Sequence, residues 1–188
     1  VAVETASLAV PLPESTDDYV VGSDNRATYQ TPFKGGIYAV NLFRDVRTAE
    51  EIRQDAVMVT DDADGLLYGR YFADVAKEEE LKPGKTFTAG TALSLGTLDS
   101  IPMTIEAKLY VPTTMDKRAG TIVGSYTDAE GQQLNLEVYY NGTVRLVFKD
   151  GTTTYKYPFE VDVRGKKPVH IAVTLDGNKA TLYVNGEK

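Results

Sequence analysis

Two carboxylates near residue 160 form the pattern with the clearest potential for catalysis. Glu160 and Asp162 are separated by one residue, so on a strand both side chains would lie on the same face. Retaining glycoside hydrolysis needs two carboxyl groups about 5–5.5 Å apart, one as nucleophile and one as acid. The positions that follow are Arg164 and Gly165, and the chain has no tryptophan to stack on a sugar. We therefore predict no catalytic residue here and interpret the pair as solvent-facing carboxylates at a strand end.

The single histidine, His170, is the second candidate for chemistry. Any nucleophile triad based on histidine would have to be built around it. It falls in a predicted strand between Val169 and Ile171, and its neighbours on the same face are polar or small. A metal site at His170 would need carboxylates from elsewhere in the chain. We expect this histidine to be a structural strand residue.

Acidic and amide side chains in loops are candidates for a calcium site, because Ca²⁺ prefers hard oxygen ligands. Asp24 and Asn25 follow a predicted strand and form one such group. Residues 61–64 (DDAD) form another, but they lack the spaced acidic residue that completes an EF-hand loop. The alternative for each group is an acidic, solvated turn.

Tyrosines are the most abundant aromatic residues, with twelve in the chain. A ring with a polar tip can stack on a sugar or fill an interface pocket. We predict a ligand-binding group made of Tyr139, Tyr140, Tyr155 and Tyr157. All four fall on adjoining hairpin strands, so cross-strand pairing explains them equally well without a ligand. Residues 141–143 (NGT) match a glycosylation acceptor, although a tight turn also accounts for them.

The composition excludes several classes of partner. A net charge of -7 opposes binding to a polyanion, so we expect no nucleic-acid partner. With no cysteine, neither disulfides nor thiolate metal sites can stabilise the fold. No stretch approaches the roughly 18 apolar residues of a membrane span, so we expect no membrane insertion.

Short β-rich runs separated by turn dipeptides dominate the second half of the chain. Residues 104–111 (TIEAKLYV) alternate apolar and polar side chains, which predicts one buried and one solvent-facing side. Asn141-Gly142 predicts a type I′ hairpin turn, because both central residues tolerate a positive φ. Three similar dipeptides follow at 150–151, 176–177 and 185–186. This pattern is typical of an antiparallel β-sandwich.

The first half is less regular and contains one predicted helix. Residues 48–57 (TAEEIRQDAV) open with a Thr-x-x-Glu capping box and carry an apolar stripe at Ile52 and Ala56. Strands are predicted at 18–22, 36–43, 66–72 and 86–95. Residues 60–65 and 77–85 are polar and contain proline and glycine, so we expect solvent loops or a linker.

The strand motifs resemble those of a known family. Residues 101–188 are similar to the first two thirds of a bacterial laminin-G-like, concanavalin A-like domain, through TIEA at 104–107, LNLEVYYNG at 134–142, HIAVTLDG at 170–177 and LYVNG at 182–186. Residues 19–57 resemble the last third, through VVGSD at 20–24, FKGGI at 33–37 and RTAEEI at 47–52. The resemblance implies an all-β, concanavalin A-like jelly-roll sandwich of two antiparallel sheets with one short surface helix.

The order of these segments is permuted relative to the family. We predict one domain over 1–188, in which 1–57 resembles the C-terminal third, 58–100 supplies a linker and first strands, and 101–188 resembles the N-terminal two thirds. A circular permutation, an excerpt from a tandem array, and a subunit completed by its neighbours all fit this order. Because unpaired edges are costly, the pieces must meet, either within one chain or by strand exchange between copies. The alternative is that both ends are arbitrary boundaries of an excised piece.

The resemblance also implies sites and a function. Asp128 matches roughly the position of a family calcium ligand, so Asp128, Asp24 and Asn25 are the predicted metal-binding residues and calcium is the one cofactor considered. His170 matches a structural strand position of the family. Laminarinase-like glycosidases share the architecture but carry a further carboxylate along the strand of the catalytic pair. We expect a noncatalytic extracellular recognition or adhesion module of a large secreted or surface protein, binding a glycan or a cell-surface protein. The alternative is a structural repeat or fibre subunit that self-assembles with neighbouring copies.

Overall fold

The computed structural model describes residues 4–12, 18–23, 31–57, 66–71, 86–88, 91–98, 100–115, 120–127, 131–165 and 167–186. The predicted loops at 60–65 and 77–85 lie outside these residues. None of the helices in the described part of the chain is long and apolar enough to cross a membrane.

Twelve strands and one helix form the described structure. The strands of the first half are β1 (Glu4–Ser7), β2 (Tyr19–Val21), β3 (Gly36–Phe43), β4 (Leu66–Tyr71) and β5 (Leu93–Gly96), with helix α1 (Ala49–Val57) between β3 and β4. The second half contributes β6 (Thr104–Tyr110), β7 (Gly120–Thr127), β8 (Gly131–Val138), β9 (Thr143–Asp150), β10 (Thr153–Asp162), β11 (Val169–Asp176) and β12 (Lys179–Val184).

These strands form two antiparallel sheets of six strands each. The first sheet has the order β1-β12-β11-β6-β3-β4, and the second has the order β10-β9-β8-β7-β2-β5. Both sheets combine strands from the first and second halves of the chain, and β1 lies beside β12 with Glu4 opposite Leu182. The predicted two-sheet sandwich with one short helix is confirmed. Strand exchange between copies stays a prediction.

One apolar core fills the space between the sheets, as alternation along each strand requires. The first sheet contributes Ile105 and Leu109, and the second contributes Leu136, Leu146 and Phe148, all completely buried. The prediction that the polar side of β6 faces solvent is wrong at Glu106, which is also buried. Helix α1 covers this outer face, since Ile52 packs on Ala172 and Tyr183 of the neighbouring strands.

The capping box at the start of α1 forms as predicted. The Thr48 amide donates to Glu51 Oε2 at 2.7 Å, and the Glu51 amide donates to Thr48 Oγ1 at 3.3 Å. The hydrogen bonds from the Thr48 backbone and hydroxyl hold the pKa of Glu51 below its usual value. These hydrogen bonds fix the residue at which α1 begins.

The hairpin turns differ from one another in type. Both Asn185 and Gly186 have positive φ, 53° and 71°, as a type I′ turn requires. At Asn141-Gly142 only the glycine has positive φ, 88°, so the predicted type I′ turn is wrong there. Instead, the Gly142 amide donates to the Tyr139 carbonyl, and Asn141 Oδ1 accepts from the Thr143 amide and hydroxyl. This Asn141 contact favours a three-residue loop that ends in a left-handed glycine.

The strand predicted over 86–95 is also shorter than expected. Strand β5 covers only Leu93–Gly96. The Thr91 amide and hydroxyl both donate to the Thr88 carbonyl, and the Thr88 amide donates to Thr91 Oγ1. Threonine side chains can satisfy nearby backbone groups in this way, which replaces the ladder bonds that a strand would need.

Candidate functional site

The four predicted ligand-binding tyrosines lie on two opposite faces of the second sheet. Tyr155 stands opposite Phe148, and Tyr157 stands opposite Leu146, so both rings belong to the core face. The two rings lie 5.4 and 5.8 Å from the Phe148 ring in stacked geometry. The Tyr157 hydroxyl also accepts a hydrogen bond from the Ala9 amide at 2.7 Å. Cross-strand packing accounts for these two tyrosines.

Tyr139 and Tyr140 lie at the end of β8, where the chain enters the turn to β9. Tyr139 follows Glu137 by two residues and therefore shares the outer face of the sheet with it. Its ring is 4.4 Å from the Tyr140 ring and 3.7 Å from the guanidinium of Arg145. Tyr140 is 41% exposed. Of the four tyrosines, Tyr140 is the one whose ring is exposed to a ligand.

A polar cluster continues from Tyr139 along the outer face of the second sheet. Glu137 Oε1 accepts from Arg145 Nε at 2.7 Å and from Arg145 Nη2, and Glu137 Oε2 accepts from Asn135 at 2.7 Å. Asn135 is 2% exposed, and its Oδ1 has no hydrogen-bond partner among the described residues. Arg145 is thus held between a carboxylate and an aromatic ring, which fixes the orientation of Tyr139.

Glu160 and Asp162, which were predicted to face solvent at a strand end, have different surroundings. Both are exposed, and the Glu160 amide donates to the carboxylate of Glu4. Asp162 makes a forked contact with Arg164, from Arg164 Nη2 to Oδ2 at 2.6 Å and from Arg164 Nε to Oδ1 at 2.9 Å. This contact holds the pKa of Asp162 below its usual value. Asp162 is therefore an ionised hydrogen-bond acceptor rather than a proton donor.

Asp162 and Arg164 belong to a groove at one end of the sandwich, which we call the rim groove. It has a volume of about 510 Å³, which lies within the range of small-ligand sites. The groove is lined by Val161, Asp162, Val163, Arg164, Gly165, Lys167, Pro168, Val169, Val184 and Asn185. Two cations, one carboxylate and one amide therefore border the groove, together with valine, proline and glycine residues.

The type I′ turn after β12 positions Asn185 at this groove. The Asn185 amide donates to the His170 carbonyl at 2.7 Å, and Asn185 Oδ1 accepts from the His170 amide at 3.0 Å. This pair of bonds fixes the side chain while leaving its amide nitrogen without a partner in the described part of the chain. The strand bearing His170 thus supports the groove through its backbone.

The turn that carries Tyr140 touches the wall of the rim groove. The Val163 amide donates to the Gly142 carbonyl at 3.0 Å. A Cβ placed on Gly142 would overlap Asp162 Oδ1 and lie 2.7 Å from Arg164 Nε. The absence of a side chain at residue 142 therefore allows Asp162 and Arg164 to approach the turn.

This contact predicts a measurable difference between two glycines. Gly142→Ala should lower the free energy of unfolding by about 0.5–1.5 kcal/mol more than Gly151→Ala, because the Asp162 and Arg164 side chains must leave their present rotamers. Gly151 is the matched control, because its φ is also positive, 56°, and no atom lies within 4 Å of its would-be Cβ. Urea unfolding of the two variants measures the difference. Equal losses would show that the turn does not press on Asp162.

The side chain of His170 lies away from the groove, beneath helix α1. It is 4% exposed, with Nε2 at 3.5 Å from Glu106 Oε2. Burial, with a smaller contribution from Lys108, lowers the pKa of His170 to about 4. The histidine is therefore neutral at neutral pH. It has no acidic or nucleophilic partner arranged as a catalytic triad among the described residues.

The predicted metal ligands Asp128, Asp24 and Asn25 lie outside the described residues, as do residues 61–64. Within the described ranges, no group of three or more histidine or acidic side chains could hold a metal ion. Calcium binding therefore stays a prediction.

Arg164, Lys167 and Asn185 were missed as site residues. Arg164 appeared in the sequence only as a departure from a carboxylate pattern, and Asn185 only as a turn residue. The Asn-Gly turn did indicate where β12 ends. The sequence pattern does not show how the strands pair. It therefore could not show that the ends of β10 and β12 lie at the same end of the sandwich.

A family model described as the concanavalin A-like lectin/glucanases superfamily matches residues 84–188. The match covers more than half of the chain and includes strands β6 to β12, with the motifs at 104–107, 134–142, 170–177 and 182–186. No curated protein and no solved structure matches the chain.

Proposed function

Because this chain belongs to the concanavalin A-like lectin/glucanase superfamily, we propose that it is a noncatalytic glycan-recognition module whose ligand binds in the rim groove. Membership supports a carbohydrate-binding or adhesion-type role in general terms. The rim groove is the proposed location of the ligand, and its polar side chains are the proposed hydrogen-bonding groups. Laminin G-like domains are commonly extracellular, and we propose an extracellular or cell-surface setting, with a glycan as the partner.

The observation that carries the proposal is the set of polar groups at the rim groove. Sugar hydroxyls both donate and accept, so a sugar site needs acceptors and donors within reach of one another. Asp162 supplies an ionised acceptor, and Arg164 supplies charge-assisted donors whose geometry the Asp162 contact fixes. The Asn185 amide supplies a neutral donor. Val161 and Pro168 of the lining provide apolar contacts for the C–H face of a sugar ring.

Tyr140 extends this site beyond the groove. Tyr139 is occupied by Arg145, whereas Tyr140 is the exposed ring on the turn that contacts Asp162. An exposed tyrosine next to charged hydrogen-bonding groups provides a stacking surface for a sugar ring. We therefore propose that Tyr140 contacts the ligand and that Tyr139 holds Tyr140 in place. Two of the four predicted tyrosines thus belong to the proposed site.

A noncatalytic role is supported by the surroundings of Asp162. Glycosidic bond cleavage needs a carboxylic acid whose pKa is raised enough to keep its proton. The pKa of Asp162 is shifted the other way by Arg164. Measurable glycan hydrolysis that is lost in Glu160→Gln would overturn this part of the proposal.

Arg164→Ala is expected to weaken glycan binding about 10- to 100-fold, because it removes a charge-assisted hydrogen bond and frees Asp162 from its orientation. A panel of neutral and acidic soluble oligosaccharides first identifies a ligand, with calcium or with a chelator present. Isothermal titration then gives the affinity of the wild type and the variant.

Arg53→Ala is the matched control for that titration. Arg53 is an exposed arginine on α1 that pairs with Glu50 on the helix surface, so its removal changes the net charge equally. We expect it to leave glycan affinity unchanged. Equal affinities for the wild type and both variants would contradict a ligand site in the rim groove. No binding by any oligosaccharide would contradict the glycan proposal itself.

Self-assembly by strand exchange is the second candidate function, and the position of β1 favours it. This edge strand has only four residues and pairs with β12 through four residue pairs. Another copy could therefore supply an equivalent strand at low structural cost. Concentration-dependent polymers in light scattering, without glycan binding, would favour assembly over recognition.

A further inference from the structure

Helix α1 is attached to the first sheet by few apolar contacts. Ile52 is its one fully buried apolar side chain in the described structure, packed on Ala172 and Tyr183, with Ala49 beside it. At the far side, a Cβ placed on Gly186 would lie 2.7 Å from Arg53 Cα, so the helix backbone also touches the turn after β12. Most of the remaining contact between the helix and the sheet is polar.

A chain of hydrogen-bonding groups crosses this polar interface. Arg47 Nη2 and Nε donate to Asp55 Oδ2 at 2.6 and 3.2 Å, and Arg47 Nη1 donates to Glu51 at 3.2 Å. The Arg47 guanidinium also lies 4.4 Å from the centre of the Phe43 ring. Asp55, whose side chain is 4% exposed, lies over the part of β6 that holds Glu106. The helix is placed there by Ile52 on Ala172, which stands opposite Glu106, and by the contact of Lys108 with the Ala56 carbonyl. Two buried carboxyl groups therefore meet between the helix and β6.

Two carboxyl groups can share a hydrogen bond only if one of them keeps its proton. Glu106 is 1% exposed, and if it were ionised neither of its oxygens would find a donor. Burial, followed by the charge of Asp55, raises the pKa of Glu106 to about 9. At neutral pH Glu106 is therefore a protonated acid that faces the Asp55 carboxyl held by Arg47.

The other groups around Glu106 do not replace that proton. His170 of β11 is 3.5 Å away but neutral. Lys108 of β6 contacts the Ala56 carbonyl at the end of the helix, and Glu51 on α1 adds negative charge. Arg47, on the segment before the helix, already serves Asp55 and Glu51. On β3, Asn41 stands opposite Glu106 in the register of the sheet.

We propose that the proton on Glu106 is a latch for helix α1: its loss places two negative carboxylates in contact and releases the helix from a sandwich that stays folded. The sandwich core does not depend on this interface, because it lies on the other side of the first sheet. Release would uncover the outer face of β6 and β11. The latch does not require a glycan in the rim groove.

Thiol labelling at residue 172 tests the latch. The chain has no cysteine, so Ala172→Cys places a single thiol in the completely buried position beneath Ile52. Thr152→Cys, in an exposed hairpin turn, is the control for the pH dependence of thiol chemistry. We expect the labelling rate at residue 172, divided by the control rate, to rise at least tenfold between pH 7 and about pH 10. Circular dichroism should show an intact β structure over the same range.

Glu106→Gln gives the decisive comparison, because an amide donates to Asp55 without a titrating proton. In the Ala172→Cys background it should abolish the rise in labelling. A rise that persists in this variant, no rise in the parent, or labelling that coincides with global unfolding would each overturn the proposal. If Ala172→Cys does not fold, hydrogen exchange of the α1 amides in the otherwise unchanged chain measures the same release, compared with the same chain carrying Glu106→Gln.

Discussion

Raising the pH from 6.5 to 9 is expected to lower the free energy of unfolding by about 3 kcal/mol, through Glu106 alone. The pKa of this buried acid is raised to about 9 in the folded chain, from 4.5 in the unfolded chain. Between those values the folded state binds one more proton than the unfolded state. The contribution of Glu106 to the free energy of unfolding is therefore complete below pH 4.5 and falls as the pH rises toward 9.

His170 acts in the opposite direction at lower pH. Its pKa falls from 6.5 to about 4 on folding, mainly because of burial, so the unfolded state binds the extra proton between those values. The contribution of His170 to the free energy of unfolding therefore rises with pH and is complete above pH 6.5. The slopes of Glu106 and His170 cancel between about pH 4.5 and 6.5. We expect a plateau there and a decline of about 1.4 kcal/mol per pH unit above it.

Glu106→Gln should flatten the decline above pH 6.5 and make the variant more stable than the wild type near pH 9. Urea unfolding at half-unit pH intervals measures both curves. His170→Gln is a useful second variant, because it should turn the plateau between about pH 4.5 and 6.5 into a decline and leave the decline above pH 6.5 unchanged. A wild-type curve that is flat from pH 6.5 to 9 would show that Glu106 is ionised in the fold.

Leu42→Ala and Leu146→Ala are each expected to lower the free energy of unfolding by about 2–5 kcal/mol. Both leucines are completely buried in one core, although Leu42 belongs to β3 of the first sheet and Leu146 to β9 of the second. Each truncation removes apolar contacts and leaves a cavity between the sheets. Because the core is shared, both variants should unfold in a single transition with the wild-type denaturant dependence.

Val147→Ala is the comparison for these two truncations. Val147 is also on β9 and buried, but it lies on the outer face of the second sheet and outside the shared core. A smaller loss is expected there. Two separate transitions in Leu42→Ala would show that the first and second halves of the chain have independent cores.

Much of the fold was predictable because its signals are local. Alternation along residues 104–111 identified β6, and the Thr48 to Glu51 spacing identified the start of α1. The position of Glu106 was not predictable in the same way. Alternation places it on the outer face, but only the packing of Ile52 on Ala172 shows that the helix covers that face. The type of the Asn141-Gly142 turn depended on a side-chain contact with Thr143, which dipeptide preference does not include.

The candidate site was less predictable, because it depends on strands that are far apart in sequence. The tyrosine pattern located the hairpin strands correctly but could not separate the core face of β10 from the exposed turn after β8. Asp162 was examined as half of a catalytic pair, whereas its partner is Arg164. Asn185 reaches the same groove only because β12 pairs with β11, whose start borders the end of β10.

The most direct test of glycan recognition at the rim groove is a nuclear magnetic resonance titration of the chain with the best oligosaccharide from the panel. We expect the largest amide shifts at Asp162, Arg164 and Asn185, with further shifts at Tyr140. Shifts concentrated on helix α1 or on the outer face of β6, with none at the rim groove, would contradict the proposed site.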